Sequence, residues 1–160
     1  MSQAPSKIPW LYNVAHINPY YKALFGWVTP KLDLPAGKAS VKDLWPAASP
    51  AGAPVIVSMG DSDQYYLVEF RDRSGFDFGL TEGAGINIWR VDKLGLEAIY
   101  SQRKGITCEG VIGAVGQSVT ANWYTNSSEI SDVDEVVGIS ITWLSENRDG
   151  SVTVKIDRLL

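Results

Sequence analysis

Cysteine and histidine each occur once in 160 residues, and each scarcity closes off a class of chemistry. Cys108 alone can form neither an internal disulfide nor a multi-cysteine metal site. His16 alone cannot supply a zinc centre of the His-Glu-x-x-His type, which needs two imidazoles one helical turn apart. Basic residues are also few: 14 lysines and arginines stand against 18 aspartates and glutamates, a formal net charge of -4. The clustered cations that phosphate neutralisation requires are missing, which argues against nucleic acid as a ligand and against a basic membrane-binding patch. No apolar run approaches the roughly 20 residues of a membrane span, and the opening MSQAPSKIPW has no apolar signal core. A soluble chain is expected, with its compartment undecided.

What the chain has instead is bulk. Hydrophobic residues make up 45% and charged residues 20%, an ordinary globular balance, and six tryptophans with seven tyrosines supply large packing surfaces. This length suits one domain with its own core better than two. Residues 1–15, with prolines among polar residues, read as an extended or disordered lead-in, and residues 16–160 as a single β-sandwich domain.

The stretch from Gln64 to Asp92, QYYLVEFRDRSGFDFGLTEGAGINIWRVD, organises that domain. It predicts two strands, Gln64–Arg71 and Ile86–Val91, joined by a glycine-punctuated loop. Tyr65, Tyr66, Leu67, Val68 and Phe70 would load both faces of a sheet, so the first strand is expected to be central and covered on both sides. Glu69, Arg71 and, in the second strand, Arg90 are the polar exceptions. A carboxylate there is costly unless paired, so Glu69 should meet an arginine or backbone donors. Upstream, Asn18 can cap a helix, Pro19 suits its first position and Gly26 can end it, giving a helix of about two turns. Further strands are predicted at Ala39–Leu44 on an edge, Val55–Met59, Gly110–Val115, Gln117–Tyr124 and Gly138–Leu144, with Pro46, Pro50 and Pro54 in a surface loop. Leu94–Arg103 fits either a strand or a helical turn. Asn147–Gly150 supply a hairpin turn, after which Val152, Val154 and Ile156 form the apolar side of a final strand. About eight short strands, one short N-terminal helix and no β-α-β alternation define an all-β, mainly antiparallel sandwich.

Several residue groups invite a chemical reading, each against a plainer one. Glu69, Arg71, Asp77 and Asp92 could converge as an acid–base pair or a calcium site, but a structural salt-bridge cluster fixing the Gly75–Gly85 loop is the stronger expectation. Gly60-Asp61-Ser62-Asp63 and Ser131-Asp132-Val133-Asp134-Glu135 are acidic loops whose default is a solvated turn. The first lacks the EF-hand pattern. Gly79, Gly83 and Gly85 lack the following helix and Lys-Ser/Thr pair of a phosphate loop, so nucleotide binding is rejected. His16 reads as a surface residue beside the helix. Asn126-Ser127-Ser128 is a formal glycosylation sequon, which implies exposure. Trp10, Trp45, Trp123 and Tyr124, with Tyr12, Tyr20 and Tyr21, exceed the obvious needs of one small core, and are candidates for stacking on a glycan or a protein partner. No cofactor and no metal is expected, calcium being the one cation the loops suggest.

NPYYKALFGWV, YYLVEFRDRSGFDFGLTEGAGINIWRVD and GISITWLSENRDGSVTVKI, taken in order, resemble the region after the catalytic core of secreted zinc metalloproteases of the immune inhibitor A family. Tyr65, Tyr66, Glu69, Arg71, Gly75, Phe76, Asp77, Gly85, Trp89, Val91 and Asp92 occupy the matching places. The resemblance implies an extracellular setting and a β-rich accessory module beside a protease core. The His-Glu-x-x-His helix of those proteases is absent, so their activity is not implied for these residues. The expectation is a non-catalytic module for domain packing or protein binding, with an upstream catalytic domain or another protein as partner. A free-standing carbohydrate-binding domain and a self-associating structural subunit are the alternatives.

Overall fold

The structure, a computed structural model, describes residues 18–30, 34, 37–58, 64–74, 84–93, 105–124 and 136–159. The first regular element is the short helix α1 (Pro19–Leu24), which Asn18 caps by accepting the Tyr21 amide at 3.2 Å. Its end is a two-bond glycine cap: the Gly26 amide donates to the Ala23 carbonyl at 3.0 Å and the Trp27 amide to the Lys22 carbonyl at 2.9 Å. Gly26 takes φ +74° there, the left-handed conformation this cap requires.

Eight strands follow: β1 (Ala39–Leu44), β2 (Val55–Ser58), β3 (Gln64–Arg71), β4 (Gly85–Asp92), β5 (Ile106–Ile112), β6 (Ser118–Tyr124), β7 (Val136–Glu146) and β8 (Val152–Arg158). They form two four-stranded sheets, ordered β1-β8-β7-β6 and β2-β3-β4-β5, with antiparallel pairing throughout. The architecture is an all-β sandwich. β1 is an edge strand, as its composition predicts. β5 begins earlier than the predicted Gly110–Val115 and stops at Ile112, because a turn occupies the residues before β6.

The core lies between the sheets. Val55, Val57, Tyr66, Val68, Phe70, Ile86 and Ile88 from one sheet meet Ile139, Ile141, Trp143, Val152, Val154 and Ile156 from the other, all buried. Phe70 and Trp143 pack edge to face, their centroids 5.8 Å apart. The Tyr66 hydroxyl spans the sheets to donate to the Ala121 carbonyl at 3.3 Å.

The outer faces of the two sheets differ. On β6, β7 and β8 the outward-facing Ser118, Thr120, Ser140, Thr142, Thr153, Lys155 and Asp157 are polar and at least partly solvated. Ser118 and Thr142 pair there through their hydroxyls at 2.8 Å. On β3 the outward residues Leu67, Glu69 and Arg71 are buried like the inward ones, so this strand is covered on both sides. α1 rests against that outer face of β3.

Candidate functional site

The alternation of β3 puts Tyr65, Leu67, Glu69 and Arg71 on its outer side, and the β3–β4 register places Val91, Trp89, Asn87 and Gly85 opposite them. Glu69 sits at the centre, 3% exposed. Its Oε1 accepts from Arg71 Nε at 2.7 Å and from the indole Nε1 of Trp89 at 3.2 Å. The Arg71 guanidinium also lies over the Trp89 ring, 5.9 Å from its centroid. The pairing expected for Glu69 is therefore present, with an arginine from its own strand and an indole in place of backbone donors.

Burial pushes the Glu69 carboxyl above the usual glutamate range. The nearby charges of Arg71 and Lys22, together with hydrogen bonds from Arg71 and Trp89, pull the other way without cancelling that effect. Two features fix the cluster's edge. Gly85, opposite Arg71, takes φ +125°, and a Cβ there would lie 2.2 Å from the Ile112 carbonyl oxygen, so only glycine fits. Asn87, buried opposite Glu69, donates to the Gly85 carbonyl at 3.1 Å.

α1 closes over this cluster in an unusual orientation. Its buried residues are Pro19 and Lys22, and Lys22 is only 4% exposed. Tyr21, Leu24 and Phe25 face outward at 38%, 62% and 58% exposure, and Trp27, just beyond the cap, at 69%. The rings form a row: Tyr20 to Tyr21 at 5.2 Å, Tyr21 to Phe25 at 6.3 Å and Phe25 to Trp27 at 5.4 Å between centroids. A helix that buries its lysine and exposes its aromatics reverses the usual amphipathic arrangement.

The other predicted residues are dispersed. Asp92 is buried but pairs in register with Gln64, at the opposite end of the β3–β4 ladder from Glu69 and Arg71. Arg90 lies on the other face of β4 and pairs with Glu109 at 3.0 Å. Trp45 is half-buried just after β1. Trp123 and Tyr124 end β6. Trp10, His16, Asp77, the acidic loops and the sequon lie outside the described residues. Cys108, a free cysteine opposite Trp89, has its thiol pushed up by desolvation, the opposite direction from an activated thiol. Among the described residues no group of three or more His, Cys, Asp or Glu side chains is placed to hold a metal ion.

Leu24, Phe25, Trp27 and Lys22 are the participants that the sequence alone does not single out, and Trp89 is marked only as part of the resembling motif, without a role. Tyr21, Leu24 and Phe25 do share one helical stripe, a visible signal, but the ordinary inference from such a stripe would bury it. Compared with protein-family models, curated proteins and solved structures, the chain finds no match in any of the three.

Proposed function

We propose that this chain is a non-catalytic β-sandwich module that docks onto an apolar protein surface through the aromatic row on α1. The observation that carries the reading is the succession of Tyr21, Leu24, Phe25 and Trp27, four large side chains exposed along one short helix and its C-terminal cap. Solvated aromatics in contact with one another are costly to leave in water and are the residue type that dominates binding energy at protein interfaces. The buried Glu69–Arg71–Trp89 cluster supports this division of labour. Its carboxylate is occupied by two donors beneath the helix, which suits a structural role better than acid–base chemistry. The motif resemblance points to a partner class, the catalytic core of an immune inhibitor A-like protease.

The test is a titration of the purified chain against such a catalytic core, followed by calorimetry. A saturable complex that weakens at least about tenfold in the Phe25→Ser/Trp27→Ser variant is expected. A complex indifferent to that variant would reject the docking face. Stoichiometric zinc with chelator-sensitive peptidase activity in the isolated chain would reject the non-catalytic assignment. Quenching of Trp27 by oligosaccharides, with no protein complex, would favour the glycan-binding alternative.

A further inference from the structure

The two open sheets end in the edge strands β1, β6, β2 and β5, and an unguarded edge is a template for another strand. β2 is four residues long behind Pro54, β5 is interrupted by a bulge opposite Ile88 and Trp89, and β6 carries the hydroxyls of Ser118 and Thr120 on its outer side. β1 differs. Its six residues pair with β8 without a register shift, and Val41, at the middle of its outer side, is a branched apolar residue 56% exposed.

The hydrogen-bonding phase of β1 is fixed at its start. The Arg158 amide donates to the Lys38 carbonyl at 2.9 Å, so the residues that bond to β8 continue at every second position, Ser40, Lys42 and Leu44. The Leu159 amide turns the other way, to the Gly138 carbonyl of β7 at 2.9 Å, in keeping with that phase. Ala39, Val41 and Asp43 therefore direct their amides and carbonyls away from β8, and among the described residues no strand meets them. We propose that β1 is a self-association edge: a second copy of this chain pairs with it antiparallel about a two-fold axis at Val41, joining the two β1-β8-β7-β6 sheets into one.

Charge selects both this partner and this register. A two-fold axis normal to the sheet can oppose Val41 to Ala39, Val41 or Asp43 of the second copy. The Ala39 register sets Lys42 against Lys38, and the Asp43 register sets Lys42 against its own counterpart, both like-charge pairs. In the Val41 register Lys42 faces Ser40, Asp43 faces Ala39, and the two valines meet. Lys42 thus guards the edge against the other registers only. β1 belongs to the sheet that does not seat α1, so the proposal is independent of the docking reading.

The experiment is sedimentation velocity of the full chain over a rising concentration series, with amide hydrogen exchange at each concentration. A weak reversible dimer is expected. The Val41 and Asp43 amides should exchange fast when dilute and at least about tenfold slower when concentrated, while the Lys42 amide, turned toward β8, stays slow throughout. Val41→Lys and Val41→Glu each oppose like charges across the axis and should weaken the dimer about tenfold, whereas the two variants mixed should associate again. Val41→Pro removes an amide that β8 does not use, so it should stay folded and lose the dimer. A chain monomeric at millimolar concentration, a dimer indifferent to Val41→Lys, or Lys and Glu variants that stay apart when mixed would overturn the proposal.

Discussion

At the scale of single residues, one buried charge sits in the middle of the covered strand β3. Glu69 is acceptable in the middle of a covered strand because Arg71 and Trp89 both donate to it. Arg71→Met should lower the unfolding free energy by about 3–5 kcal/mol, since it leaves that carboxylate buried without its close counter-charge. The deficit should depend on pH in a definite direction. The pKa of Glu69 in the folded protein is raised by burial, so the stability associated with this group is fully present below the ordinary glutamate range and is lost as pH rises through the raised value. Loss of Arg71 raises that value further, so the deficit should shrink on acidification. Urea unfolding of both proteins at several pH values measures it. A deficit independent of pH would show that the arginine acts by packing alone.

At the scale of elements, much of the architecture was legible in the sequence. Ala39–Leu44 and Gln64–Arg71 form strands with the predicted bounds, and in the second an aromatic and apolar run after a polar turn leaves little choice. Asn18, Pro19 and Gly26 mark the helix for equally local reasons. Two things were not legible. The pairing of Glu69 with an indole depends on the β3–β4 register, and the facing of α1 is settled by tertiary packing. Local pattern carries neither. The hydrophobic stripe of α1 is visible, but the direction it faces is not. The same register makes Gly85 a sensitive position: Gly85→Ala, combining positive φ with a clash against the Ile112 carbonyl, should cost about 1–3 kcal/mol and lower the thermal midpoint. An unaltered midpoint would mean that the start of β4 relaxes freely.

At the scale of the whole molecule, the two sheets serve different ends. The β1-β8-β7-β6 sheet contributes its inner face to the core and presents hydroxyls and charges outward, as a solvated antiparallel sheet does. In the β2-β3-β4-β5 sheet the central strand β3 is buried on both sides, and its outer side seats the helix whose aromatics face away from the protein. The sandwich thus provides a rigid base under a small apolar platform, an arrangement suited to domain packing. Hydroxyl-radical footprinting of the chain, alone and with an immune inhibitor A-like catalytic core, tests that claim most directly. Rapid oxidation of Tyr21, Phe25 and Trp27 in the free chain and their protection in the mixture are predicted, with buried Tyr66 slow in both. Slow oxidation of the three rings in the free chain, or rates unchanged by the partner, would contradict it.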